Sequence, residues 1–375
     1  MLQSVFLQEP TSLLTTSSTP RSTAEESPTP SFRYDFQDLK AKVPATSSQS
    51  YKSLAILSGH VGSVSCLALC GEFILSASHA NDIIVWQQPD LRLFTKFGQG
   101  DGAVKAILTS GNRVFTAHQD SRIRAWQVSR SSENVFRLID TLPTTKDYLG
   151  KCMKQRRNHK SLWIEHSDTI SCLALSAGLI YSASWDKTLK VWRLSDFKCL
   201  ESVRAHDDAI NGISAGNGMV YTASADGRIK AWGRGVAGLS CRKVLEGHKD
   251  VSFNAVVLTE DGGFVYGGGS DGSLMGWRWE GWRPVCDVRA HESAVLCLCL
   301  MGERMMCSGS ADKNICVWRR EVGGGVFRHM VVKGHHGPVK CLQASPLRVG
   351  GGFMLYSGSL DRSLRVWWVP IECVI

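Results

Sequence analysis

The sequence predicts an all-β fold, a seven-bladed β-propeller preceded by a tail without a core of its own, and three observations carry that prediction. A motif of fixed His, Ser/Thr, Asp and Trp spacing returns about every 40 residues. Each copy holds apolar runs with the two-residue alternation of strands, and the first 50 residues share neither property.

The motif is clearest from His166 to Trp192, where Ser182 stands ten and Asp186 six residues before Trp192. The same offsets recover Trp86, Trp126, Trp232, Trp277, Trp318 and Trp367, with acids at Asp120, Asp226, Asp271, Asp312 and Asp361. Hydroxyls fall at Ser76, Thr116, Thr222, Ser308 and Ser357, and opening histidines at His60, His206, His248, His291 and His335. Copy one has Ala80 in place of the acid, copy two has no opening histidine, and copy five has Gly267 in place of the hydroxyl. Copies three, four, six and seven are complete.

Strand grammar fills each copy. In SCLALSAGLIYSAS two apolar runs flank a turn at Ala177-Gly178, and TLKVWRL alternates by two after a second turn at Trp185 to Lys187. A fourth run precedes each opening histidine, as in KCLESVRAH, CRKVLEGH and, ahead of His166, SLWIEH. One four-stranded sheet buries too little to stand alone, whereas seven packed around an axis bury a continuous core. The run at 51–58 precedes the first histidine, and after Trp367 only Trp368 to Ile375 remain. Ring closure is therefore expected from pairing of 51–58 with the last blade, which removes an open edge. The chain divides into a tail, 1–50, and a propeller, 51–375.

Fifteen of the twenty-one residues from Thr11 to Ser31 are Ser, Thr or Pro, a composition that predicts disorder. Thr19-Pro20, Ser27-Pro28 and Thr29-Pro30 are candidate proline-directed phosphorylation sites, against the plainer reading of a passive tail. The N-terminus lacks the charged start and apolar run of a targeting signal, and no stretch approaches a membrane span.

A histidine with a carboxylate and a hydroxyl also matches a nucleophilic triad. An enzyme needs one such site, and here the set recurs in nearly every copy, which argues for a structural role. No catalytic residue, cofactor or metal site is expected. The thirteen cysteines contain no CxxC pair, and Cys66, Cys172, Cys297 and Cys341 each stand six residues after a histidine, which makes them core positions in a chain kept reduced. The glycine clusters 323–325 and 350–352 read as hairpin turns, and VYGGGSDGSLMGW makes blade five the least rigid expected.

One interval departs from the period. Trp126 and Trp192 are 66 residues apart, with an insertion at 127–165. Within it, Lys146, Lys151, Lys154, Arg156, Arg157 and Lys160 face one acid, Asp147, leaving a net charge of +5 over 146–160 in a chain of formal charge +9. Such a loop attracts an acidic protein segment, nucleic acid or an anionic surface, or is simply a solvated linker. Tyr148 is the lone aromatic in the basic run, which weakens the single-stranded nucleic-acid reading.

Residues just before each turn Asp and just after each His are expected on one rim. They are His79, Gln119, Trp185, Leu360, Asp207, Lys249, Glu292 and His336. Trp185 is the sharpest partner-binding candidate, since aromatics dominate interface hot spots; its alternative is packing over a neighbouring loop.

The pairs Gly59-His60, Gly247-His248 and Gly334-His335, with the Asp and Trp positions above, resemble the WD-repeat family over residues 51 to 370. The family's Trp-Asp pair is degenerate, since the closing tryptophans precede Gln87, Gln127, Arg193, Gly233, Arg278, Arg319 and Trp368. The resemblance implies a hydrogen-bonded chain from turn Asp through His and hydroxyl to the indole, formed by His166, Ser182, Asp186 and Trp192; His206, Thr222, Asp226 and Trp232; His291, Ser308, Asp312 and Trp318; and His335, Ser357, Asp361 and Trp367. The run from LPTTKDYLGKCMKQRRNHK through blade three resembles the plant JINGUBANG-like branch. That branch implies a soluble regulatory scaffold of cytoplasm and nucleus, linked to pollen germination and tube growth through transcriptional regulators, and a monomeric, non-enzymatic chain is expected beside it. Two other readings stand beside it. A cullin-ligase substrate receptor ordinarily carries Trp-Asp-x-Arg at a strand end, which this chain lacks, and the basic insertion leaves direct nucleic-acid or anionic-surface binding open.

Overall fold

The computed structural model describes residues 51–79, 82–98, 102–130, 134–145, 147, 162–236 and 238–371. Their strands form seven four-stranded antiparallel sheets. Blade one runs from Val64 to Phe97, blade two from Val104 to Leu142, blade three from Ile170 to Arg204 and blade four from Ile210 to Glu246. Blades five and six run from Phe253 to Arg289 and from Val295 to Val332. Blade seven takes three strands from Val339 to Pro370 and its outer one, Lys52–Ser58, from the other end of the chain.

The first strand of each blade contacts the first strand of the next, and that of blade seven contacts that of blade one, so the ring is closed around an axis. Burial follows the same geometry. Seven clusters of buried apolar side chains each span two neighbouring blades, among them Val64, Ile84 and Trp86 with Tyr356 and Val366, and Leu189 and Val191 with Ile213 and Trp232. The core is thus a ring of seven interfaces, so every sheet needs both its neighbours.

Blade two departs from expectation. Its fourth strand is Phe136–Leu142, and the described part of SLWIEH, 162–166, forms turns rather than a strand. Phe136 and Leu142 are buried, so the alternating FRLIDTL run fills the outer position, while Ile164 is a buried plug beside Ile170. The insertion proper therefore begins after Leu142. Thr144 opens it, donating from both N–H and Oγ1 to Asp147 Oδ2 (3.0 and 2.9 Å). Lys146, Tyr148, Lys151, Lys154, Arg156, Arg157 and Lys160 lie outside the described residues, as do Ala80 and the tail 1–50 with its candidate phosphorylation sites.

Blade five is glycine-rich for packing reasons rather than looseness. Gly267, Gly268 and Gly269 are buried, and a Cβ on Gly267 would lie 2.4 Å from Ile229 Cδ1, or on Gly268 2.5 Å from Val295 Cγ1. Neighbouring side chains occupy the space that side chains on these residues would fill. The glycines at 323–325 and 350–351 connect adjacent strands as hairpin turns.

Deleting residues 51–58 strips blade seven of its outer strand and exposes Leu364 and Val366. The thermal midpoint should fall by roughly 5 °C or more, since several kcal/mol are lost and each shifts a domain of this size by about 1.5 °C. Size-exclusion chromatography should show self-association through the bared edge; an unchanged midpoint and a monomeric profile would show that closure does not rest on this strand.

Candidate functional site

Each turn aspartate performs two tasks with its two oxygens. Oδ1 accepts the backbone N–H two residues on, from Thr188, Arg228, Ser273, Asn314 and Ser363 in blades three to seven. The residue between sits in the left-handed region, with φ 72° at Lys187, 78° at Gly227, 73° at Lys313 and 68° at Arg362. Oδ2 reaches across to the loop entering the first strand. There it accepts His166 Nδ1–H (3.0 Å), His206 (2.8 Å), His291 (2.9 Å) and His335 (2.8 Å). It also accepts the N–H of the following residue, from Ser167, Asp207, Glu292 and His336.

Beyond the ring the chain continues inward. Ser182, Thr222, Ser308 and Ser357 donate to histidine Nε2 at 2.7 to 2.8 Å and accept the indole N–H of Trp192, Trp232, Trp318 and Trp367. Every polar hydrogen in the set has an acceptor when histidine is neutral and protonated on Nδ1. Burial lowers the pKa of all four histidines despite the neighbouring carboxylates, which matches that state. Burial alone would raise Asp186 and Asp361, but hydrogen bonds from His166, His335, Thr188 and Ser363 hold both below the usual carboxylate range. The four hydroxyls are 0% exposed, so none can attack a substrate.

The three incomplete blades solve the same problem differently. In blade one His60 Nε2 still meets Ser76 Oγ at 2.7 Å, but its Nδ1 is buried without a partner among the described residues. In blade two a histidine that the spacing template does not find, His118, enters from the second strand and meets Thr116 Oγ1 at 2.7 Å. Asp120 turns instead to Arg124. In blade five Phe253 packs edge-to-face on Trp277 (6.0 Å) beside Gly267. His248 is displaced outward, where Asp287 and Asp271 hold it at 2.9 and 3.2 Å and raise its pKa.

These bonds fix the rim. The residue before each turn Asp donates its N–H to the loop entering the first strand: His79 to Ser63, Gln119 to Ala103, Trp185 to Thr169 and Leu360 to Pro338. All eight rim candidates, His79, Gln119, Trp185, Asp207, Lys249, Glu292, His336 and Leu360, are exposed. Trp185 is 40% exposed and leans towards blade two, its ring centroid 5.5 Å from Lys105 Nζ. It overhangs the axial cavity rather than standing free, and His79 shares that lining.

A second constellation carries no histidine or acid. Every first strand has a bulge after its opening residue, at Val64/Cys66, Val104/Ala106, Ile170/Cys172, Ile210/Gly212, Phe253/Ala255, Val295/Cys297 and Val339/Cys341. The extra residues, Ser65, Lys105, Ser171, Asn211, Asn254, Leu296 and Lys340, all line the axial cavity. A repeat-by-repeat comparison of the residue just before Cys66, Cys172 and Cys341 holds the signal, a polar residue (Ser65, Ser171, Lys340) inside an apolar run; Leu296, before Cys297, is the exception.

Cysteines at the core positions are inert. Burial pushes the Cys66 thiol up to about 12 and Cys172 up to about 11. Among the described residues no group of His, Cys, Asp and Glu could hold a metal ion, and no helix is long and apolar enough to cross a membrane.

The architecture defines a propeller whose blades are tied by a repeated Asp-His-hydroxyl-Trp chain. The WD domain, G-beta repeat family matches residues 51–87, 157–193, 197–233 and 328–367, and the IP5P C-F beta-propeller family matches 234–317. The fold is a seven-bladed β-propeller, and its repeats are similar to those of the WD-repeat family over the residues matched. Among its relatives is Cross-pathway control WD-repeat protein 2 of Flammulina velutipes, 27% identical over 40% of this chain and 58% of the relative. Ribosome biogenesis protein YTM1 of Coccidioides immitis is 22% identical over 79% of this chain and 57% of its own length. Zinc finger CCCH domain-containing protein 17 of rice (Oryza sativa subsp. japonica) is 29% identical over 28% of this chain and 19% of the relative. The chain matches less than two thirds of the length of each of these three.

Two stability measurements test the hydrogen-bond sets. Asp226→Ala orphans His206 Nδ1 and two backbone N–H groups, and should cost about 1–3 kcal/mol in chemical denaturation, more than any change at Ala80; equal midpoints for this variant and wild type would remove the structural role. Burial, reinforced by Lys96 and Arg124 respectively, depresses His60 and His118 to about 4 from 6.5. The unfolded chain therefore takes up protons first at these two sites, so their contribution to stability is constant above pH 7 and falls between pH 6.5 and 4, by about 2 kcal/mol per histidine at pH 5. Urea midpoints that do not move from pH 7.5 to 5 would mean these rings are charged in the fold.

Proposed function

We propose that this chain is a non-enzymatic protein-interaction scaffold that engages partners through the rim carrying Trp185. The observation that carries it is the anchoring of exposed, chemically varied side chains at fixed places on one rim, while the hydroxyls that might do chemistry are sealed inside. Trp185 presents a large aromatic face beside a cation there, the kind of residue that anchors interfaces.

The biological setting we propose follows the resemblance to the plant JINGUBANG-like branch: a regulator in cytoplasm and nucleus, acting through transcriptional regulators in pollen germination and tube growth. The basic segment 146–160 is the second contact element in this reading, suited to an acidic stretch of a protein partner.

The deciding experiment compares proximity-labelled partners of wild type, Trp185→Ala and a variant with 146–160 replaced by a Gly/Ser linker, with thermal melts alongside. Trp185→Ala should lose most specific partners at least tenfold with an unchanged melt. A partner set intact in both variants would remove the rim and the insertion as contact surfaces. Partners lost only with the linker variant would transfer recognition to the insertion.

A further inference from the structure

The seven bulge residues hold equivalent seats around the axis, and four of them have the same occupation. Ser65 Oγ donates to Val104 O (2.7 Å), Ser171 Oγ to Ile210 O, Asn211 Nδ2 to Phe253 O (3.1 Å) and Asn254 Nδ2 to Val295 O (3.0 Å). Each ties its blade to the next blade's first strand. A small hydrogen-bonding side chain is what the seat needs for that task.

Lys105 and Lys340 occupy two other seats, on either side of Ser65, and their ammonium groups make no such bond among the described residues. They bring two charges to one arc of the channel, over blades seven, one and two. The cavity they share has a volume of about 300 Å³, and among the described residues no carboxylate lines it. Lys105 is half-buried, and its pKa is lowered by burial and by Lys340, so its charge is partly desolvated and faces another cation rather than an acid. Trp185 flanks Lys105 with its ring, and His79 stands at the same mouth. Two positive charges held together without a counter-charge cost energy, and a bound anion would relieve that cost.

We propose that the rim-side mouth of the axial channel is an anion site that takes a phosphate monoester, gripped between Lys105 and Lys340 with Trp185 and His79 beside it. A monoester carries close to two negative charges at neutral pH and offers three acceptor oxygens, so it matches two lysines, whereas a carboxylate would leave one of them unpaired. The cavity lies at the low end of volumes that hold small ligands. The same group can arrive on a small metabolite or on a phosphoserine side chain. The inference stands on the channel and does not require that the rim bind proteins.

The test is calorimetric titration of the full chain, at low ionic strength and pH 7.5, with glycerol 3-phosphate, an acetyl-Gly-phosphoserine-Gly-amide peptide, its unphosphorylated form and acetate. Binding of a phosphate probe at least tenfold tighter than acetate is expected, together with at least a tenfold loss in Lys105→Met and in Lys340→Met and weakening with added salt. Both variants keep the apolar stem and should melt as wild type does; if Lys105→Met does not, Lys340→Met alone decides, because Lys340 is exposed. A peptide that outbinds glycerol 3-phosphate identifies a protein-borne phosphate, and the reverse order a free metabolite. No heat from either phosphate probe, acetate binding as tightly, or an affinity indifferent to both lysines would overturn the proposal.

Discussion

The rim of blades three, four, six and seven depends on a carboxylate that faces two ways. With one oxygen it closes its own turn, and with the other it holds the histidine of the loop entering the first strand, so the two connections at that end of a blade cannot move independently. The histidine then passes the constraint to a buried hydroxyl, and the hydroxyl to an indole lodged between blades. A surface turn is thereby coupled to the packing of the ring. Because each polar group is satisfied only when the others are present, the set behaves as a unit, and burial of the histidine in its neutral form is the condition for that.

The departures show which parts of this device are essential. Blade two keeps the hydroxyl and the indole and recruits His118 from a strand, so the ring's position in space matters and its position in the chain does not. Blade five abandons the polar set: with no hydroxyl at Gly267, the ring of Phe253 packs against Trp277, and His248 becomes a surface residue between two acids. An apolar filler can therefore replace a hydrogen-bonded one where neighbours close the space, as Ile229 and Phe253 do here. Blade one is intermediate, with its histidine in place and one nitrogen without a partner among the described residues.

Those outcomes also mark what was legible beforehand. Asp186, Trp192 and their counterparts could be found because they repeat at fixed offsets, and the number of blades and the membership of the four complete sets follow from those offsets, whereas the strands rest on the apolar runs between them. His118 was invisible because an offset records sequence while the slot is a place in space. The outer strand of blade two was misplaced for a related reason: the rule sought it next to a histidine, whereas burial of Phe136 and Leu142 decides it, and the inserted segment separates that strand from His166. The inward-pointing seats escaped notice because a bulge shifts one residue out of the two-residue alternation, so a lysine between buried neighbours reads as an ordinary outward position.

That shift is also what divides the molecule's chemistry. Strict alternation would send Ser65, Lys105 and Lys340 to the face opposite their buried neighbours, into a blade interface where a lysine charge would be costly. The bulge turns them to the axis instead, where solvent reaches Lys105 and Lys340. A propeller can therefore vary seven inward side chains without disturbing its core, provided that enough seats keep the bonds between blades. Four seats here keep those bonds, and two carry charge. The hydrogen-bond sets make the ring rigid, the bulges make its centre variable, and Trp185 sits where the two meet, its backbone held by the Thr169 carbonyl and its ring over Lys105.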